Sequence, residues 1–190
     1  MAEIRLVITD FDGTLVDTFE ANLKAYQKAF AEKGLELSEE KYRECFGFRF
    51  DDFMNAVGIS DEKVKNDIRT LKGNYYPEFF SFLKPNNNLI NFIKAYKAQG
   101  SKTAIASTAR GKNLYNVLSY LKIENIFDYI LSGEDVKCGK PNPEIYQKVM
   151  THFGVLPENT LVFEDSQIGI EASVAAGANY IQIKNEFINN

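Results

Sequence analysis

The sequence predicts an α/β fold: a doubly wound parallel sheet of the Rossmann-like kind, with an all-helical segment inserted after its first strand. Three observations predict it. Short apolar runs alternate with segments of helical period, the signature of a parallel sheet covered by helices. Several runs, such as LVIT, TAIA and TLVF, lack strict in/out alternation, as strands buried on both faces do. One long stretch, from about Phe19 to Leu83, is helical throughout and breaks the alternation.

In chain order, the predicted strands are Ile4–Thr9, Lys102–Ala106, Tyr129–Leu131, Thr160–Phe163 and Tyr180–Ile183. Between them, Leu89, Phe92, Ile93 and Tyr96 follow i, i+3, i+4, i+7 spacing, as do Leu114, Val117, Leu118 and Leu121. Ile145, Val149 and Phe153 repeat every four residues. Each stripe can lay one apolar face on a sheet, and each reads as core. Inside the inserted stretch, Ser38 before Glu39 and Glu40, and Ser60 before Asp61 and Glu62, predict two helix starts. Pro85 with Asn86, Asn87 and Asn88 predicts a loop returning to the sheet. The expected division is a sheet core at 1–16 and 85–190 and a helical domain at 17–84.

Composition narrows the function. With 45% hydrophobic and 25% charged residues, the 190-residue chain has the profile of an ordinary globular protein. A net charge of −4 argues against a nucleic-acid surface, which needs clustered Lys and Arg, yet leaves room for a small anionic substrate. Cys45 and Cys138 are far apart and in no metal-ligand spacing, which suits a reducing compartment. MAEIRLVITD runs straight into a strand, unlike a signal peptide, and no apolar stretch approaches the ~20 residues of a membrane span. A cytoplasmic protein is expected.

The first strand ends in Asp10-Phe11-Asp12-Gly13-Thr14. Residues 10 and 12 can point into one mouth while Phe11 points elsewhere. Adjacent carboxylates ionise together only with a cation between them, and otherwise one keeps a proton. A division of labour follows, in which one attacks and binds metal and the other donates and accepts protons. Alone, Asp-Gly reads equally as a surface turn. The second strand runs into Ser107-Thr108 and a helix expected near Lys112 or Asn113, a ready phosphate site, although Ser107 alone reads as a helix-entry residue. Lys140 precedes a Pro-Asn-Pro loop and can neutralise a phosphoryl oxygen and a carboxylate together. Glu164-Asp165-Ser166 follows the fourth strand directly, where acids are costly unless a cation such as magnesium compensates them. All four segments fall at the carboxyl ends of predicted parallel strands, where open α/β sheets bind ligands. That convergence, rather than any one segment, carries the prediction.

These segments in this order resemble the haloacid dehalogenase-like superfamily: DFDGT at 10–14, Ser107 after its strand, Lys140 in GKP, and EDS at 164–166. The resemblance covers essentially the whole chain, with the helical segment where that family places its first type of cap. LVFEDSQIGIEAS and KPNPEIY are most similar to the β-phosphoglucomutase-like and sugar phosphatase branch. The resemblance implies a Mg2+-dependent phosphohydrolase acting on a small phosphorylated metabolite. Asp10 would be nucleophile and metal ligand. Asp12 would act as acid and base and lend its backbone carbonyl to the metal. Ser107, helped by the Thr108 amide, would hold the phosphoryl group, and Lys140 would balance its charge. Asp165 would bind metal, with Glu164 beside it either directly or through an intermediary. Dehalogenases of this fold lack the second Asp and need no metal, so Asp12, Glu164 and Asp165 speak against that activity.

Within the branch, Thr14 stands where β-phosphoglucomutases usually carry Val, and Asn22 stands where they carry a cap His. Both favour a phosphatase over a mutase. Arg49, in CFGFRFDD at 45–52, is either a cap contact for an anionic group or a surface charge. Phe46, Phe48 and Phe50 either line a pocket or fill the cap's core. A phospho-receiver would need an Asp where the third strand ends in Leu131-Ser132-Gly133, and a silent binding module should have lost a motif residue. No membrane or nucleic-acid partner is expected, and the protein is expected to be a monomer or a weak homo-oligomer.

Overall fold

The computed structural model describes residues 3–184, so the first two and last six residues of the expected core lie outside the described residues. The chain forms two compact units, Met1–Asp17 with Lys84–Asn190, and Thr18–Leu83.

The first unit is built on a parallel sheet of β1 (Leu6–Thr9), β4 (Lys102–Ala106), β5 (Tyr129–Leu131), β6 (Thr160–Glu164) and β7 (Asn179–Gln182). Their order is β5-β4-β1-β6-β7. The chain therefore winds from β1 out to β5 and returns to the other side of β1, which makes β1 the switch point of the sheet. Thr9 lies level with Ile105 of β4 and Phe163 of β6, so the residues just beyond these three strands emerge at one edge. Leu6, Ile8, Ile105 and Val162 are fully buried, as expected of strands covered on both faces. Helices α5 (Asn87–Ala98), α6 (Gly111–Leu121), α7 (Glu144–Phe153) and α8 (Gln167–Ala175) accompany the strands. The predicted stripes supply the inner faces of α5, α6 and α7: Ile93, Leu114, Val117, Leu118 and Val149 are fully buried.

Two details of the return to the sheet differ from the sequence reading. Pro85 does not open a loop. Lys84–Pro85 (β3) pairs antiparallel with Val16–Asp17 (β2), and Pro is tolerated in so short a ribbon because both strands are edges. The asparagine run belongs to a helix. Asn86 caps α5 by accepting the Leu89 N–H at 3.1 Å, while its own N–H reaches the Leu15 carbonyl at 2.9 Å.

The second unit contains α1 (Phe19–Ala31), α2 (Glu39–Glu44), α3 (Phe50–Ala56), α4 (Glu62–Tyr75) and a 3-10 segment, Tyr76–Phe82. Its core gathers Phe30, Tyr42, Phe53, Met54 and Ile68. Aromatic edges meet faces in several pairs, as in Tyr26–Phe53 at 5.0 Å and Phe19–Phe46 at 5.3 Å. Phe46 and Phe50 pack against this core, whereas Phe48 stays about half exposed. Ser38 caps α2, accepting the Lys41 N–H at 3.1 Å. At α4 the cap is Asp61 and not the expected Ser60. The Asp61 carboxylate accepts the Val64 N–H at 2.9 Å, and a carboxylate there also meets the positive end of the helix. Among the described residues no helix is long and apolar enough to cross a membrane.

The cap assignment gives a direct comparison. Asp61→Ala should cost about 1 kcal/mol of stability in urea melts. Ser60→Ala should stay within about 0.5 kcal/mol of the parent.

Candidate active site

The edge at which β1, β4 and β6 end carries the expected residues. Asp10 follows β1 directly, and its N–H extends the ladder to the Phe163 carbonyl at 2.9 Å. Phe11 turns into the core, 2% exposed, and the chain folds back as Leu15 and Val16 donate to its carbonyl. Gly13 makes that turn possible. Its φ is +84°, and a Cβ there would run into the Asp165 carboxylate.

Lys140 reaches the site from the loop before α7, and its side chain is 3% exposed. The ammonium donates to Asp10 Oδ1 at 2.6 Å, to the Ala106 carbonyl at 3.2 Å and to Glu164 Oε1. Glu164, the last residue of β6, is fully buried and held on both oxygens. Oε1 also accepts the Tyr146 hydroxyl at 2.6 Å, and Oε2 accepts the Ser166 hydroxyl at 3.0 Å. Residue 169 must be glycine for this packing, because any Cβ would collide with the Glu164 carboxylate. Asp165 accepts the Thr14 hydroxyl at 2.8 Å.

The electrostatics follow from this crowding. Burial pushes the Asp10 carboxyl well up; Lys140 offsets part of that, while Glu164 and Asp165 push the same way. For Lys140 burial would lower the pKa, but Asp10, Tyr146 and Glu164 outweigh it and keep the ammonium charged. Burial drives the Tyr146 hydroxyl well up, so it remains a donor. Asp165 is raised to about 6 by burial, with the Thr14 hydrogen bond opposing and the Glu164 charge adding.

Asp10, Glu164 and Asp165 present oxygens that all lie within 4.8 Å of one another. Three carboxylates against one ammonium leave two negative charges for a divalent cation to neutralise, and an all-oxygen donor set suits magnesium. The residues therefore fit the metal expected from the sequence. The Asp12 side chain is not part of this trio. It is half-buried, in the turn where residue 12 bridges to Val16.

Ser107 is buried at the end of β4, with its N–H on the Leu131 carbonyl and its hydroxyl accepting the Ala109 N–H at 3.1 Å. The next helix, α6, starts at Gly111, one residue before the expected Lys112. Thr108 is half-buried, and its carbonyl packs so closely on Gly133 that no Cβ fits there. Arg49 lies in the helical unit, at the cap position of α3. Tyr146, Thr14 and Ser166 all bond to the site acids, a role the sequence did not give any of them, although Thr14 and Ser166 stand in its motifs. Tyr146 sits in KPNPEIY, five residues after Pro141, but a tyrosine in a helix start has no signal separating it from core.

This arrangement defines a class of protein, a doubly wound α/β protein with an acidic, cation-ready mouth at its sheet's switch point. The chain belongs to the haloacid dehalogenase-like hydrolase family, whose model matches residues 7–183. It is 33% identical over 177 residues to a phosphorylated carbohydrates phosphatase of Thermotoga maritima, across 90% of this chain and 81% of the relative. The crystal structure of CbbY from Rhodobacter sphaeroides in complex with phosphate matches with a TM-score of 0.85 at 25% identity, covering 98% of this chain and 89% of that one. A β-phosphoglucomutase from Clostridium difficile matches with a TM-score of 0.80 at 25% identity, over 97% of this chain and 86% of the other.

The raised carboxyl of Asp165 yields a test on metal-free protein. Its pKa of about 6 exceeds the ordinary 3.8, so its stabilising contribution is complete below about 4 and is lost as pH rises through about 6. Relative to Asp165→Asn, metal-free wild type should lose of order 1–3 kcal/mol between those limits. Magnesium should restore stability at pH 7.5 and have little effect at pH 5, as read by thermal melts.

Proposed function

We propose that this protein is a Mg2+-dependent phosphatase that hydrolyses a small phosphorylated metabolite through a phosphorylated Asp10. The observation that carries the reading is the Asp10 carboxylate, held at the switch point by the Lys140 ammonium and flanked by Asp165 and Glu164. The phosphatase relative of Thermotoga maritima and the phosphate-bound CbbY structure support it.

The Asp10 carboxylate attacks phosphorus, and the bond to the leaving oxygen breaks as Asp12 gives that oxygen a proton. Asp12 then takes a proton from water, which attacks the phosphorylated Asp10, releases inorganic phosphate and returns the carboxylate. Ser107 and the Thr108 amide bind the phosphoryl oxygens, while Lys140 shares its charge between them and Asp10. Asp10, Asp165 and the Asp12 backbone carbonyl would hold magnesium, which supplies the positive charge that offsets the transferring phosphoryl group. Glu164 holds Lys140 beside this group. The helical unit acts as a cap, with Arg49 contacting an anionic part of the substrate. The enzyme works in the cytoplasm as a monomer or weak homo-oligomer.

The likeness to β-phosphoglucomutase keeps one second reading in play, transfer of the phosphoryl group back to a sugar. Phosphate release from p-nitrophenyl phosphate, hexose and pentose phosphates, phosphoglycolate and β-glucose 1-phosphate, with and without magnesium, separates the two. Magnesium-dependent release is expected. Conversion of β-glucose 1-phosphate to its 6-phosphate without release would establish the mutase. Asp10→Asn should lower turnover roughly 10⁴-fold or more while leaving the melting transition cooperative. Near-normal activity in that variant would refute the mechanism.

A further inference from the structure

Lys140 is delivered by residues 137–143, a stretch of bends and turns between Val136 and α7 with no strand or helix to hold it. An ammonium that must meet two buried carboxylates cannot sit on a loose loop, because a displacement of about 1 Å at such a site costs on the order of 100-fold in rate. What holds this loop is Glu144, the first residue of α7.

Its carboxylate turns back across the loop. Both oxygens accept the Lys137 N–H at 3.1 Å, and Oε2 accepts the Cys138 N–H at 2.8 Å. The Glu144 N–H donates to Asn142 Oδ1 at 3.0 Å, and the Asn142 N–H donates to the Gly139 carbonyl at 3.0 Å. Entry and exit of the loop are thus tied to one residue, and Lys140 stands at the crown between them. Lys148, one turn along α7, braces the clasp from outside. It pairs with Glu144 Oε1 at 3.0 Å and donates to the Asp135 carbonyl at 2.6 Å. Two bonds from backbone amides to one carboxylate are charge-assisted and directional. The amides of Cys138 and Lys137, with Lys148, hold the Glu144 carboxyl down to about 2, so it is ionised throughout the working range.

We propose that Glu144 is a positioning residue for the reaction: by clasping the amides of Lys137 and Cys138 it fixes the loop that brings the Lys140 ammonium to Asp10. The assignment rests on the phosphatase reading of Lys140 given above. A carboxylate at α7's first position also suits the helix dipole and pairs with Lys148. Those roles depend on charge, whereas the clasp depends on reach.

Two conservative variants separate reach from charge. Glu144→Gln keeps the length and an acceptor oxygen but loses the charge. Glu144→Asp keeps the charge at the helix start but falls one methylene short of the amides. The clasp predicts that Glu144→Asp lowers kcat on p-nitrophenyl phosphate about 10-fold with KM changed less than about threefold. It also predicts faster hydrogen exchange of the Lys137 and Cys138 amides in that variant, with Glu144→Gln closer to wild type in both readouts. The reverse order, or two variants equal to wild type, would overturn the proposal. Wild-type protein that releases no phosphate from any substrate would count against the phosphatase reading instead. The order of amide exchange would still decide whether Glu144 clasps the loop.

Discussion

The ion group of Lys140 with Asp10 and Glu164 is the constraint on which the rest of this site depends. A single ammonium, almost without solvent contact, bonds two carboxylates at the carboxyl end of the sheet while a third lies beside them. Removing one partner from such a buried set leaves charge uncompensated at a cost of about 3–5 kcal/mol. The surrounding structure accommodates this: Tyr146 and Ser166 fill the remaining acceptor sites of Glu164, Gly169 gives it room, and Gly13 makes room for Asp165. The site is therefore fixed before any ligand arrives, with a residual negative charge that a divalent cation can satisfy.

That arrangement explains why the doubly wound topology matters to the chemistry. The sheet order sets β4 and β6 on either side of β1, so residues more than 90 positions apart in sequence end at one edge. Asp10, Ser107 and Glu164 take their places from backbone register at strand ends, whereas Lys140 is carried by a loop. Glu144 offsets that weakness, which is why a half-buried glutamate bonded to the loop's backbone bears on the reaction.

The sequence made the sheet legible because its strands are short apolar runs bounded by helices, and all five appear within one or two residues of their expected ends. The acids at the edge were legible for the same reason: a charged residue directly after a buried strand has few places to go. Local capping was harder to read. Ser60 and Asp61 are both good cap residues, and the choice between them turns on a one-residue shift in helix phase that apolar periodicity does not resolve. Pro85 misled because proline is barred from a strand only where the ladder needs an N–H donor at that position, and in the two-stranded β2–β3 ribbon it does not. The helical unit hid the fate of Phe46, Phe48 and Phe50, since pocket lining and core packing call for the same residue types. Tyr146 and Glu144 were invisible because their partners lie in tertiary structure or run to backbone amides, and neither leaves a mark in composition or spacing.

Phosphorylation of Asp10 is tested most directly by rapid acid quenching of the enzyme during turnover with magnesium and p-nitrophenyl phosphate, followed by mass spectrometry of its peptides. One phosphoryl group is expected on the peptide carrying Asp10, absent in Asp10→Asn and decaying as inorganic phosphate appears. Steady turnover with a phosphoryl group on another residue, or undiminished turnover in Asp10→Asn, would contradict it.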